Sequence, residues 1–387
     1  VVAVLVCPDS FKGSLTAAQA TAAIAAGVLE SGLDRAEILR CPLADGGEGS
    51  LGLIAERWDV PLEQTKTEDP LGRPHTARWA FLPDDERAVI ELAEASGLPL
   101  VQDLPLRVLD AHTRGTGRLI SDALSRGARS ITLCLGGSAT VDGGVGIAHA
   151  LGARFLDGEG EELPPTPRSL GEIAAIDLSR VVPEAFEAEW SLLVDVTNPL
   201  TGPQGAAAVF GPQKGASPEE VALLEAGLAS LAGLLRELTG RDASGLPGAG
   251  AAGGAALVLH AVFGAEIVGG AEHLGLLVGL PELMARADVV FTGEGRLDGQ
   301  SGGGKVVSHV SDLAASVAEP PPVVCLAGEV LCTPAELRGL GLTAAFSIAN
   351  GAQTLEALMN EAAPGLRSVA ANATRSLLAL SGDRPKR

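Results

Sequence analysis

Three short segments of this sequence bring together residue types that handle anions or phosphoryl groups. The first, Gly299-Gln-Ser-Gly-Gly-Gly-Lys305, stands between an apolar run and a helical pattern. It satisfies the GxxxxGK part of a phosphate-binding loop, but Val306 stands where Ser or Thr would bind a metal ion, so a true P-loop nucleotidase is not expected. The physics survives without that fold: glycine amides and a helix N-terminus attract phosphate, and Lys305 adds positive charge. The second segment, Gly136-Gly-Ser-Ala-Thr140, lies after an apolar strand and before a helix. That makes Gly136, Gly137, Ser138 and Thr140 another candidate phosphate cradle. It is not a nucleophile elbow, since Thr140 replaces the last Gly of GxSxG. The third, Asp195-Val-Thr-Asn-Pro-Leu200, ends the apolar run Leu192-Leu-Val194. An acid there could hold a metal ion or take up a proton, and an Asx turn ahead of Pro199 is the competing reading.

Other chemistries lack their residues. No GxGxxG follows the first strand, which argues against a dinucleotide enzyme, and the six histidines show no HExxH or other ligand spacing. With 48 acidic against 28 basic residues the net charge is −20, which repels nucleic acid and anionic lipid. Five cysteines without a CxxC pair are an odd count, and four of them (Cys7, Cys41, Cys134, Cys325) lie in or beside apolar runs. That pattern points to buried thiols in a reducing, cytoplasmic setting. Val1–Val6 reads as a strand rather than the longer apolar region of a signal peptide. Residues 243–265 carry no formal charge, yet they open with Ser-Gly-Leu-Pro-Gly and contain His260. Only about three turns of apolar helix remain there, short of the roughly 20 residues a membrane span needs. The segment reads as a glycine-rich loop feeding a buried helix.

The elements that must position these residues show a β-α-β-α rhythm at both ends of the chain. Val1–Cys7 and Ala36–Cys41 read as strands, with helices opening at the Thr16–Gln19 capping box and at Ser50. From residue 287 the rhythm returns, with strands near 288–292, 323–327 and 344–348 and a helix from Lys305. Between them, 75–82 and 87–93 read as strands of a meander. Ser217-Pro-Glu-Glu220 starts a long helix that Gly240 closes. The pattern predicts an α/β fold: a Rossmann-like doubly wound domain from residues 1–70 and 285–387, with a second α/β domain, 71–284, inserted. In a doubly wound sheet the loops 8–14, 44–50, 293–305 and 327–330 share the edge where ligands bind. They carry Asp9, Ser10, Lys12, Ser14, Asp45, Glu48, Glu294, Arg296, Asp298, Lys305 and Glu329. Any one of these is as readily an ordinary loop residue; it is charge beside glycine, repeated along one edge, that suggests a site.

Taken together and in order, these loops resemble the type I glycerate kinase family. The matching segments are Pro8-Asp-Ser-Phe-Lys-Gly-Ser14, Leu43-Ala-Asp-Gly-Gly-Glu-Gly49, Glu94-Ala-Ser-Gly-Leu98 and Gly115-Thr-Gly117. They continue through Gly136–Thr140, Asp142-Gly-Gly144, Asp195–Leu200, Val209-Phe-Gly-Pro-Gln-Lys-Gly215, Gly248–Gly254 and Thr292-Gly-Glu-Gly-Arg-Leu-Asp298. Val141, Arg114 and Ser301 depart from the residues common in that family. The resemblance implies phosphorylation of D-glycerate by ATP with Mg2+, typically to 2-phosphoglycerate, in a cleft between the two domains, by a monomer or homodimer. It implies no nucleic-acid or membrane partner. On that basis Lys12 and Arg296 are expected at the substrate carboxylate or the transferring phosphoryl group. Gly136, Gly137, Ser138, Thr140, Gly293, Gly295 and Lys305 would hold nucleotide phosphates, and Ser10, Asp45 and Asp298 the acceptor. Asp195, with Asp45 second, is expected as general base or magnesium ligand. The alternatives are a non-catalytic binding or sensor protein for small hydroxy acids and, less in keeping with the motifs, a nicotinamide-dependent oxidoreductase.

Overall fold

The structure, a computed structural model, describes residues 1–33, 36–47, 49–298, 305–349 and 351–381. Its strands, in chain order, are β1 (Val2–Val6), β2 (Ala36–Arg40), β3 (Leu62–Glu68), β4 (Pro74–Leu82), β5 (Arg87–Glu91), β6 (Ser130–Cys134) and β7 (Arg154–Leu156). They continue with β8 (Ala175–Asp177), β9 (Glu189–Val194), β10 (Glu266–Gly269), β11 (Val289–Leu297), β12 (Val323–Val330) and β13 (Ala344–Ser347). The chain is mixed α/β and divides into two compact units, residues 1–45 with 271–387 and residues 46–270.

The first unit holds a five-stranded sheet in the order β13-β12-β11-β1-β2, with every pairing parallel. Strand β1 lies between β2 and β11, so the chain reverses its direction of travel across the sheet beside β1. The apolar run at the N-terminus forms the buried centre: Val4, Leu5 and Val6 are sealed from solvent, with Phe291 and Leu326 on the neighbouring strands. The helix Ala17–Glu30 starts at the expected capping box, Thr16 Oγ1 accepting from the Gln19 amide and Gln19 Oε1 from the Thr16 amide. It packs against the helix Ala362–Ser381 at Gly27, where a Cβ would overlap the Arg367 carbonyl.

The second unit holds a six-stranded sheet in the order β10-β9-β6-β5-β4-β3 and a small antiparallel hairpin, β7 with β8. Strands β10, β9, β6 and β5 are parallel; β4 and β3 run against them. The two compact units divide at 45/46 and 270/271. Helix Ser50–Trp58 and strand β3 belong to this unit because the Leu51 amide donates to the buried Glu91 carboxylate at 2.6 Å and β3 pairs along its whole length with β4. Strand β3 (Leu-Glu-Gln-Thr-Lys-Thr-Glu) is an edge strand, mostly polar and half-exposed, which is why no hydrophobic pattern marks it. The segment Ala256–Phe263 is a helix buried at every residue but His260. No helix among the described residues is long and apolar enough to cross a membrane.

Because the two terminal helices of the first unit meet at Gly27 with no room for a methyl group, Gly27→Ala should destabilise this unit by about 1–3 kcal/mol. The measurement is the urea midpoint. An unchanged midpoint would show that the helices can separate without cost.

Candidate functional site

In the first unit every parallel strand ends on the same sheet edge, and the polar residues gather there. The chain leaves β1 through Cys7 and Pro8, and the Asp9 amide donates to the Gly293 carbonyl of β11 at 2.9 Å. A tight turn then closes on itself: the Phe11 amide donates to the Leu15 carbonyl at 2.8 Å and the Ser14 amide to the Phe11 carbonyl at 2.8 Å. Gly13 holds a φ of 75°, which suits glycine, and leaves Lys12 exposed at the turn. Gly295 of β11 lies under that turn, its Cβ position 3.8 Å from the Lys12 amide nitrogen. The Ser14 hydroxyl ties the turn to the Met359 carbonyl at 2.6 Å. Asp9 faces Asp45, which follows β2. Burial and then the charge of Asp45 push the Asp9 carboxyl up to about 6, against the Ser10 amide and Lys12, which pull it down.

Strand β11 runs further than the sequence pattern suggests. Residues 293–297 continue the ladder with β12, Glu294 opposite Ala327 and Arg296 opposite Glu329, so they are strand and not loop. The parallel pairing of two extended strands overrides the two glycines. Arg296 is exposed and lies 3.6 Å from Glu329 and 3.8 Å from Asp298. Thus Ser10, Lys12, Asp45, Gly293, Gly295, Arg296 and Asp298 all belong to one edge of one sheet. Glu48 and residues 299–304 lie outside the described residues, as does the Lys305 side chain; the Lys305 backbone opens the helix Lys305–Ser316.

The second unit has its own edge, formed by the ends of β5, β6, β9 and β10. The loop Gly136–Thr140 leaves β6, and Asp195, half-buried, leaves the adjacent β9. Gly136 is needed for close approach: a Cβ there would lie 2.8 Å from Gly47 Cα. Ser138 bridges to Gly97, with the Leu98 amide donating to the Gly137 carbonyl and the Ala139 amide to the Ser96 carbonyl, both at 2.9 Å. Those two bonds leave the Ser138 amide and hydroxyl out of the bridge. Behind the loop lies Lys214, only 3 % exposed, whose Nζ donates to Ser138 Oγ at 2.7 Å and to the Thr140 carbonyl at 2.8 Å. Thr140 is wholly buried, and its hydroxyl has no partner among the described residues.

Two devices hold this loop in shape. Asp142 is completely buried, and its oxygens accept from the Thr113 amide and hydroxyl at 2.8 Å each, the Gly144 amide at 3.1 Å and the Gly146 amide at 3.3 Å. A carboxylate so occupied at the N-termini of helices Arg114–Ser125 and Val145–Ala150 acts as a structural anchor. The second device is a left-handed turn, with φ of 50° at Ala252, 67° at Gly253 and 82° at Gly254. Gly253 sits against the backbone of Thr140 and Val141, and its carbonyl accepts from the Gly143 amide at 3.1 Å.

A profile of the glycerate kinase family matches residues 4–378 of this sequence. The chain belongs to the glycerate kinase family. It is 38 % identical over 369 residues to the glycerate kinase of Halalkalibacterium halodurans, an alignment covering 95 % of this chain and 96 % of that one. It is 37 % identical over 353 residues to the glycerate 2-kinase of Escherichia coli K12, covering 91 % and 92 %. A crystal structure from Salmonella typhimurium LT2, assigned as a glycerate kinase 2, superimposes with a TM-score of 0.88 at 37 % identity, covering 99 % of this chain and all of that one. The family segment Val209–Gly215 contains Lys214, but no local pattern marks that lysine for burial: Ser138 is 76 residues away.

Burial drives the Lys214 ammonium down to about 7, with Asp142 opposing the shift. The unfolded chain keeps its proton up to the ordinary lysine value, so between about pH 7 and 10 it binds more protons than the folded one, and stability rises with pH in that window. Urea melts of the wild type and Lys214→Met should show the wild type gaining stability relative to the variant as pH rises from 7 to 9. A constant difference would mean that Lys214 keeps an ordinary affinity for its proton.

Proposed function

We propose that this protein transfers the γ-phosphoryl group of ATP to D-glycerate, with Mg2+, giving 2-phosphoglycerate, and that it works as a soluble cytoplasmic monomer or homodimer. The first unit is read as the doubly wound domain and residues 46–270 as the inserted one. The observation that carries the reading is the gathering of Ser10, Lys12 and Asp45 with Gly293 and Gly295 beside β1, where the chain changes direction across the sheet. Open α/β sheets bind ligands at such a point. The acidic surface, with a net charge of −20, speaks against nucleic acid as a partner.

Phosphoryl transfer asks for positioning and charge neutralisation more than for covalent chemistry. In this reading Lys12, exposed on its tight turn, and Arg296 meet the substrate carboxylate or the transferring phosphoryl group, and Ser10 and Asp298 the acceptor hydroxyls. Gly136, Gly137, Ser138 and Thr140, with Gly293, Gly295 and Lys305, serve the nucleotide phosphates. Asp195 is the first choice for general base.

No group of three acidic, histidine or cysteine side chains suited to a metal occurs among the described residues. Magnesium needs none, since it is usually held by one or two carboxylates with phosphate and water completing its shell. Burial raises the Asp9 proton affinity most and the Asp45 charge adds to it, and that second part is what a cation would relieve. Asp45 in the first unit, or Asp195 in the second, is the side chain that would hold it, and the ion would neutralise phosphate charge.

A coupled ADP-release assay should report turnover with D-glycerate. Enolase added to the product should act on it directly if the 2-phosphate is formed. No turnover with any small hydroxy acid, beside measurable binding of one, would favour the sensor reading instead.

Lys12→Ala removes an exposed loop charge and little packing, so the fold should persist while turnover falls on the order of a hundredfold. Near-normal kinetics in the folded variant would remove Lys12 from the site. Asp195→Asn keeps the shape and removes the charge, and turnover should collapse. A magnesium titration separates its roles: a lost ligand raises the magnesium requirement, a lost base leaves it unchanged. Full activity in this variant would leave Asp195 as the residue of an Asx turn.

A further inference from the structure

We infer that the buried Lys214 is a positioning residue that turns the Ser138 hydroxyl into a donor for a substrate oxyanion, a carboxylate or a phosphoryl oxygen, at the Gly136–Thr140 loop. The inference rests on the reading of that loop as an anion cradle and adds the group that gives it charge. In its charged form Lys214 has three N–H donors and no acceptor. Ser138 Oγ must therefore accept from it, at 2.7 Å, and the hydroxyl's own proton is directed elsewhere. The second bond, at 2.8 Å to the Thr140 carbonyl, fixes the far end of the same loop. Ser138 is 8 % exposed against 3 % for Lys214, so the serine is the nearer of the two to solvent. Charge passed through a hydrogen bond strengthens the next bond in the chain, so the hydroxyl is a better donor than an isolated serine.

A buried lysine is a costly way to brace a loop. The buried Thr140 carbonyl and the Ser138 hydroxyl need only a neutral donor, whereas an ammonium sealed from water is held there at a loss, as its lowered proton affinity records. Asp142 is its charged neighbour, and the oxygens of Asp142 are already occupied by four donors. The wholly buried, unpartnered hydroxyl of Thr140 is a second polar group of this loop left without a protein partner among the described residues. An arriving oxyanion would restore the missing counter-charge, and Lys214 would take up a proton as it binds.

The test is calorimetric titration of the full chain with D-glycerate, a non-hydrolysable ATP analogue and inorganic phosphate, for the wild type, Ser138→Ala, Lys214→Met and the double variant. Either single substitution should weaken at least one of these ligands roughly ten- to hundredfold, the scale of one charge-assisted hydrogen bond. The double variant should be no weaker than the weaker single, because the two side chains act as one unit. A loss confined to D-glycerate identifies the oxyanion as the carboxylate, and a loss confined to the ATP analogue as a nucleotide phosphate. At pH 8, titrations in buffers of different ionisation heat should show proton uptake by the wild type that Lys214→Met abolishes, a readout a purely structural lysine would not move. Folded variants that bind all three ligands like the wild type would overturn the inference, as would additive losses or a wild type that binds none of them. Should Lys214→Met fail to fold, Ser138→Ala decides alone, and wild-type affinity in it would be the overturning result. Turnover is not among these readouts, so a failure to phosphorylate D-glycerate counts against the kinase reading only.

Discussion

A carboxylate sealed from water must have its oxygens satisfied by protein, and Asp142 meets that requirement with four donors drawn from two helix N-termini. Much of the second unit's site follows from this knot. Helices Arg114–Ser125 and Val145–Ala150 are pinned to one carboxylate, so the loop that joins β6 to the second of them has fixed ends. Burial works against the Lys214 charge, and Asp142 is the neighbouring charge that opposes the shift. Each buried group is costly alone and acceptable in the company of the other. That mutual dependence places a cation behind a glycine loop without exposing it to solvent.

The first unit solves the same problem by a different route. Its loops owe their place to the parallel ladder, which forces the ends of β1, β2, β11 and β12 onto one edge whatever their sequences. Glycine supplies close approach there: Gly293 and Gly295 allow the turn after β1 to lie on β11, and Gly13 lets that turn reverse. Two carboxylates, Asp9 and Asp45, are then brought near each other, and burial followed by the Asp45 charge raises the Asp9 proton affinity. Backbone geometry, not side-chain contact, does the positioning there.

Elements with a local cause could be read from the sequence. The Thr16–Gln19 and Ser217–Glu220 capping boxes and the glycine that ends the second helix are present as expected, since a cap depends only on residues within one turn. The continuous apolar run at 1–6 forms strand Val2–Val6, which is buried from Ala3 onward for the same reason that it is apolar. What escaped was caused at a distance. Strand β3 has no apolar face because it lies at a sheet edge, and the extension of β11 to Leu297 depends on β12, some thirty residues later. The placing of residues 46–70 with the second unit depends on Glu91 and on β4. Lys214 stands between Gln213 and Gly215 in a short turn that looks solvent-facing, and only the return of the chain to Ser138 buries it.

The left-handed turn at Ala252–Gly254 shows which side of the balance the sequence takes when stability and site geometry conflict. A non-glycine residue at positive φ costs on the order of 1–3 kcal/mol, and Ala252 occupies such a position although glycine follows it twice. The turn cannot relax toward the right-handed region without withdrawing Gly253 from Thr140 and Val141, because its carbonyl holds the Gly143 amide. Strain is thus stored in the segment that backs the 140–143 backbone, next to an ammonium that is itself buried at a cost. Two unfavourable terms meeting at one loop, in a unit whose core is otherwise well packed and apolar, are hard to account for as fold stabilisation. They are easier to account for as the conditions for holding a glycine-rich loop in one shape before any ligand arrives, so that the ordering cost of binding is met in folding.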